Sequence, residues 1–459
     1  MNTNKYFGDR AFYKKVLAIS VPIMAQSGIT NLVSMLDNVM IGSLGTEAMS
    51  GVSIVNQLLF VFFMVIFGAG AAVGIFTSQY HGESNSDGVR YTFRIKVYVN
   101  LFVTILTVLI LILSGTSVIS LFLHADGEGT DLAKTLSFGL DYLRIMLVGL
   151  IPYALSQVYS STLRECGEVR LPMYAGIVAI LFNCSLNFVL IFGLLGFPAL
   201  GVEGAAIATV ISRFAELSVL MIAVHRNAEK YPFIKGVYLS AAVPTRLIKN
   251  VLLRGSPLLF NELIWSLAMT VKNQCLSTAG LDAVAALNIQ TTVFNVLNIA
   301  YTALGNSVAI IIGNMLGAGK TEEAVNENRR LLVFSALAGA AMGVVQIALA
   351  PFFPLLYNTT PEIRSEATFM LIISGVFMAA NSLAVSTYYT LRSGGLTFLT
   401  MLFDCVYAWV VTVSIALFLA YAVKADIYIM FAAVTFAECA KCLLGLLLVK
   451  KVRWARTLT

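Results

Sequence analysis

The chain has 459 residues, of which 58% are hydrophobic and only 12% charged, and its mean hydropathy is +0.85. Soluble domains carry about 25% charged residues, so a water-soluble enzyme is excluded, and the net charge of +6 has to be explained inside a membrane protein rather than by a nucleic-acid partner. Apolar segments of about 20 residues recur along the chain, which indicates spanning helices and not barrel strands of about ten.

In chain order, the opening MNTNKYFGDRAFYKK is polar, and the apolar run behind it is span-length with no small-residue cleavage pattern. It reads as a short cytosolic lead into a first span, not a cleavable signal. Twelve spans follow, near 16–42, 53–80, 97–122, 136–158, 173–195, 202–224, 251–278, 284–311, 331–356, 367–389, 398–421 and 427–449. Span one carries Asp37 in Ser34-Met35-Leu36-Asp37-Asn38. A charge at the centre of a span costs about 2.5–3.5 kcal/mol, so it demands compensation or a use. Span two carries Gly68, Gly70 and Gly74 with alanines between, a small-residue face for close helix packing and not a dinucleotide fingerprint. The loop Leu123–Lys134 is acidic on balance, and the longest connection, about 225–250, is basic. Asn314-Met-Leu-Gly-Ala-Gly-Lys320-Thr321 nearly matches a P-loop, but an apolar span precedes it instead of a strand, so a nucleotide is not expected and the energy source should be an ion gradient. The six cysteines lie in or beside apolar segments and suggest no disulfide framework, and Cys439-x-x-Cys442 has no second pair for a metal. His81, His124 and His225 fall at loop boundaries.

Lys and Arg orient the chain. With both termini inside, the inner side collects Lys5, Arg10, Lys14, Lys15, Arg90, Arg94, Lys96, Arg164, Arg226, Arg254, Arg329, Arg330, Lys450 and Lys451, while the outer side keeps little beyond Lys134, Arg364 and Lys424. The chain also repeats itself. VPIMAQSGITNLVSMLDNVMIGSLGTEAMSGVSIVNQ aligns without a gap on SPLLFNELIWSLAMTVKNQCLSTAGLDAVAALNIQTT, so that Pro22 meets Pro257, Gly45 meets Gly280 and Gly82 meets Gly317, an offset of 235. TLRECG at 162–167 matches TLRSGG at 390–395 at an offset of 228. Six spans per repeat is an even number, so the halves are parallel repeats about an axis along the membrane normal, the arrangement in which transporters place the substrate site near the midplane. The expected fold is therefore all-α: twelve transmembrane helices in two six-helix lobes around a central cavity. The first lobe covers 1–230 with a connecting loop to about 250, and the second covers 251–459. Lys272 is the repeat mate of Asp37.

LDNVMIGSLGTEAMSGVSI, the Gly-rich second span, GFPALGVEGAAIATVISR at 196–213 and the paired TLR-x-x-G turns together resemble the multidrug and toxic compound extrusion (MATE) family, over nearly the whole chain. That resemblance implies a secondary antiporter exchanging amphipathic organic cations for Na⁺ or H⁺. It also implies a cation site built from an Asp on the first helix, an Asn and an Asp four residues apart on the fifth, and a Thr on the sixth. Asp37, Asn183 and Thr209 match; Asn187 stands where the second Asp should be, leaving one carboxylate and three neutral oxygen-bearing groups. Some branches place a Glu where this chain has Trp265; here the acid is Glu262, three residues earlier on the same helix face, and Trp265 and Glu262 are both expected to line the substrate cavity.

Each polar residue has a bland reading beside the functional one. Asp37 is a carboxylate satisfied by Asn, Ser or Thr neighbours, or the place where a coupling ion and an organic cation compete. Glu262 is a helix–helix polar contact with Asn261 or another span, or a substrate-cavity acid. Lys272 snorkels to the outer interface, or is an internal cation paired with Asp37 or another acid. Asp404 pairs with Arg392 or another inner basic group, or lines the cavity. Arg213 with Glu216 and Glu438 with Lys441 read as structural i,i+3 pairs. The expectation is an ion-coupled exporter in the plasma membrane, without cofactor, acting as a monomer on small organic cations with a monovalent cation as counter-substrate. The rivals are a lipid-linked precursor flippase of the same superfamily, a membrane-embedded enzyme, for which no nucleophile–base pair or metal cluster is visible, and a passive channel.

Overall fold

A computed structural model describes residues 6–122, 131–357 and 359–458; Lys5 and His124 lie outside them. The described residues are almost entirely helical. Six helices come first: α1 (Arg10–Gly42), α2 (Thr46–Gly82), α3 (Ser86–Phe122), α4 (Leu132–Glu165), α5 (Arg170–Phe192) and α6 (Gly201–Arg226). After a short 3₁₀ turn at Pro232–Ile234 come α7 (Thr245–Ser277), α8 (Leu281–Gly317), α9 (Thr321–Leu349), α10 (Pro361–Val376) and α11 (Met378–Ser393), then α12 (Thr397–Val423) and α13 (Ile427–Lys451).

The repeat is written into the helix boundaries. α1, α2 and the start of α3 recur as α7, α8 and the start of α9 at the same offset of 235 residues found in the sequence. The turns between them match as well: Gly45 and Gly280 take φ of 117° and 122°, a region that costs a side-chain-bearing residue strain. The two TLR-x-x-G segments end α4 and α11, each with a left-handed glycine, Gly167 (φ 82°) and Gly395 (φ 74°).

Two helices depart from the expected single straight spans. The tenth span is broken at Phe377, where α10 and α11 meet at 51°. The cause is local packing. Gly343 of α9 lies so close to the Gly375 carbonyl that a Cβ there would overlap it. Gln346 of α9 donates to the Leu371 carbonyl at 3.0 Å and to Ser374 Oγ at 2.5 Å, supplying side-chain partners beside the break. α12 is wound wider than an α-helix over Leu402–Val406, Ala408–Val413 and Phe418–Val423, and such π-turns cluster at functional positions. Among the described residues ten helices are long and apolar enough to cross a membrane, or eleven with α10 and α11 taken as one span. The remaining expected span is α7, 33 residues long but too polar to pass the same test, because it carries Glu262, Lys272 and several Asn and Ser residues.

The chain forms two compact units: Ala25–Thr77 with Asn85–Lys249, and Met1–Met24 with Ser78–Ser84 and Asn250–Thr459. In the first, Val55, Leu59, Ile119, Ala154 and Ala206 from α2, α3, α4 and α6 make a buried core. The connection behind α6 is tied onto this unit. Arg94 of α3 donates to the carbonyls of Gly236, Val237 and Ala242 at 2.8–2.9 Å, and Tyr98 donates to that of Ala241 at 3.1 Å. In the second unit, Leu304, Val308 and Leu391 pack with Phe12 and Val16 of α1 and with Trp454.

Candidate functional site

α1, α5 and α6 bring Asp37, Asn183, Asn187 and Thr209 into one hydrogen-bonded cluster in the first unit. Asp37 lies five residues, or about 7.5 Å at 1.5 Å per residue, from the end of α1, so the carboxylate sits toward one end of the span and not at its centre. Asn187 Nδ2 donates to Asp37 Oδ1 at 2.6 Å. Asn183, one turn earlier on α5, satisfies its neighbours best with its Nδ2 on Asp37 Oδ1 (3.0 Å) and its Oδ1 accepting from Thr209 Oγ1 (3.2 Å). Asn183 and Asn187 are buried, at 5% and 1% exposure. The Oδ1 of Asn187 is buried with no hydrogen-bond partner among the described residues, an acceptor left open in a place where such atoms are almost always satisfied. Nearby, Arg213 of α6 is held by Glu216 at 3.3 Å and stacks over the Tyr153 ring at 5.1 Å from its centroid. The pair is the one its spacing predicts; the aromatic seat is not visible in the sequence.

The second unit holds a different polar cluster. Asn261 of α7, 1% exposed, donates to Asp404 Oδ2 of α12 at 3.0 Å and to the Tyr388 hydroxyl of α11 at 3.4 Å. Tyr388 donates in turn to Glu262 at 3.3 Å. Thus Glu262 and Asp404 do belong to one network, joined by Asn261 and by Tyr388, the latter of which the sequence did not single out. Asp404 is paired with Lys441 of α13, a short ion pair, and not with Arg392, which stacks on the Tyr389 ring.

Glu438 and Lys441 are therefore not each other's partners. Glu438 takes Lys272 at 2.9 Å and Lys441 takes Asp404. A local i,i+3 pair is worth only a few tenths of a kcal/mol on a helix surface, and inside a low-dielectric bundle the tertiary partner with better geometry wins. Lys272 does not snorkel: its side chain is 17% exposed and its charge is met by an acid of another helix. Trp265 is 39% exposed and outside the network, with no hydrogen bond from its indole among the described residues.

Comparisons with known proteins bear on the family and the fold. The MatE family model matches residues 22–189 and 257–424, two stretches of equal length whose offset is again 235. A probable multidrug resistance protein NorM from Thermotoga maritima is 26% identical over 408 residues, 88% of this chain and 84% of its own. A second protein of that name from Halalkalibacterium halodurans is 27% identical over 386 residues, covering 83% and 81% of the two chains. Among solved structures, a variant of the Vibrio cholerae MATE transporter VcmN superposes with a TM-score of 0.85 over 97% of this chain and 98% of its own, at 17% identity. An outward-facing multidrug resistance MATE family transporter of the MOP superfamily gives 0.82 over 96% of both chains at 18% identity. At those identities the structures speak for the fold alone.

Proposed function

Because the chain belongs to the MatE family, and is accordingly a multi-pass membrane transporter and not an enzyme, we propose that it is a cation-coupled antiporter that exports amphipathic organic cations across the plasma membrane by alternating access. The relatives' names, probable multidrug resistance proteins, support the drug-like substrate class. The single observation that carries the coupling is the Asp37 cluster. It holds one carboxylate, two buried amides and a hydroxyl, with the Asn187 oxygen left open.

The chemistry follows from the amides. Asn187 and Asn183 turn N–H groups toward Asp37. Rotating either amide about χ2 exchanges donor for acceptor, so the same residues offer oxygens when a cation arrives. A carboxylate, two amide oxygens and a hydroxyl are the hard oxygen donors that suit Na⁺, and a proton on Asp37 needs only the carboxylate itself. Either ion neutralises the one negative charge that an organic cation would otherwise use. Competition for that charge couples the two fluxes. In this reading both termini face the cytosol, the protein works as a monomer, and Glu262, Asp404 and Lys272 contribute to the substrate's surroundings through the networks they join.

The test is dye efflux from membrane vesicles with a Na⁺ or a pH gradient imposed separately. Asp37→Asn should abolish gradient-driven efflux by either ion while the purified protein stays monodisperse. Coupled efflux at the native rate from that variant removes the proposal.

A further inference from the structure

The ends of α2 and α8 that the charge distribution assigns to the cytosol meet inside the second compact unit, and they meet with a symmetry of their own. Ser78, which is 5% exposed, lies against Gly313, its repeat mate: a Cβ on Gly313 would come within 2.8 Å of that of Ser78. A Cβ on Gly82 would overlap the Asn314 carbonyl, and one on Gly317 would overlap the Gln79 carbonyl. At the offset of 235, Gln79 corresponds to Asn314 and Gly82 to Gly317, so the two contacts are the same contact seen from either repeat. That reciprocity is the signature of a twofold interface. No side chain larger than hydrogen fits at either glycine while the helices are this close.

One feature breaks the symmetry. Gln79 is 0% exposed, and its amide is spent on the end of the chain. Nε2 donates to the Ser393 carbonyl at 3.0 Å and to the Arg456 carbonyl at 3.3 Å, and Oε1 accepts from the Leu458 N–H at 2.6 Å. Its mate Asn314 instead donates to Ile310 of its own helix. The segment that Gln79 grips, Val452–Leu458, follows the end of α13 and is not helical. It is seated by Trp454, 3% exposed, and by the turn after α11, where a Cβ on Gly394 would overlap the Trp454 carbonyl and one on Gly395 would press on Leu458 at 2.6 Å. In the other repeat the position of Gly394 is held by Cys166. The second turn is thus cut back for the tail at the residue where the repeats differ.

We propose that Gln79 and the tail Val452–Leu458 form a latch that holds the paired glycine ends of α2 and α8 together, and that the latch opens in every transport cycle. A non-helical segment held by backbone hydrogen bonds and one indole can leave its seat without unwinding a helix. The glycine contacts and the Gln79 bonds all fall in the last turns of α2, Ser78–Gly82. The latch rests on the alternating-access reading above.

Its test has one arm that needs no substrate. In a cysteine-free background, Ser78→Cys is labelled with a membrane-impermeant maleimide on inside-out vesicles. Gln79→Met, which keeps the length and removes the hydrogen bonds, should speed labelling about tenfold, the population shift expected from losing such bonds. Unchanged labelling overturns the latch. In a second arm, Gln79→Cys with Leu458→Cys should cross-link under oxidation, stop gradient-driven efflux, and recover it on reduction. If no cross-link forms, the tail does not sit on α2; if the cross-linked protein transports at the reduced rate, the contact is a permanent staple. Either result overturns the proposal. A protein that moves no dye in any state removes the antiport reading, and the latch is then decided by the labelling arm.

Discussion

Asn187 occupies the position where the family pattern has a second acid, and it does two things at once. Its nitrogen holds Asp37 at 2.6 Å and its oxygen is buried without a partner among the described residues. Replacing it with a carboxylate restores a second negative charge beside Asp37. Asn187→Asp should lower the Na⁺ concentration for half-maximal efflux at fixed pH about tenfold, the effect of roughly 1.4 kcal/mol of added attraction. An unchanged Na⁺ dependence would take residue 187 out of the ion's coordination. The four residues of this cluster were legible because polar groups in apolar runs stand out, and because Asp37, Asn183 and Thr209 match a family pattern from which Asn187 departs. Tyr388 was not, since a Tyr inside a span carries no charge to mark it. Lys441 was visible but assigned the wrong acid, because sequence spacing shows which partners are near along a helix and says nothing about those on other helices.

At the scale of the helices, the most consequential buried charge outside both clusters is Lys96. It was counted with the inner basic residues, yet its side chain is 0% exposed, ion-paired at 2.5 Å with Glu165 and hydrogen-bonded to Ser161 and Thr162. It thereby ties α3 to the end of α4, and Glu165 in turn lies over Gly74, where a Cβ would strike the carboxylate. The small-residue face of α2 serves here to seat a carboxylate as well as a helix. Removing one member of such a pair strands the other, which costs about 3–5 kcal/mol, whereas removing both costs far less. Lys96→Met should therefore lower the thermal unfolding midpoint in detergent sharply, and Lys96→Met with Glu165→Gln should recover most of the loss. Equal midpoints for the single and double variants would show that the pair is not the source. The break between α10 and α11 belongs to this scale too. Hydropathy reads a single run there, and only the approach of α9 through Gly343 and Gln346 makes two helices of it.

For the molecule as a whole, the offset of 235 appears in the residues, in the helix boundaries and in the two family matches. The repeats share a backbone plan and differ in charge. Asp37 in the first is held by amides with no ion pair among the described residues, whereas in the second Lys272 meets Glu438 and Lys441 meets Asp404. Between the repeats runs the basic connection, and its first part is held on the first unit by a pair outside the spans. Lys230 lies 2.6 Å from Glu168, whose other oxygen accepts from the N–H groups of Arg170 and Leu171. Partial burial works to raise the Glu168 pKa, and Lys230 with those two N–H groups outweighs it, so the carboxyl lies below its ordinary 4.5. A carboxyl depressed in the folded state contributes stability that is present above its unfolded value and lost as the pH falls through the folded one. Lys230 is shifted up by its bond to Glu168, so its share is lost only above 10.5. Protease cleavage near Lys230 should therefore be slow at neutral pH, rise as the pH falls below 4.5, and be fast already at pH 7 in Glu168→Gln. A cleavage rate in that variant equal to the native one would show that the connection is held without this pair.

By itself the amino-acid sequence determined the helical class, the repeat and its offset, the odd carboxylate at Asp37 and the polar residues that surround it. These properties depend on hydropathy, spacing and identity, which are local and additive along the chain. Tertiary structure alone decided which base meets which acid, where the tenth span breaks, how Lys96 is buried and what Gln79 grips. Those outcomes follow from distances between residues up to several hundred positions apart. In a low-dielectric interior a difference of an ångström or two in such a distance outweighs any preference that neighbours in sequence can express.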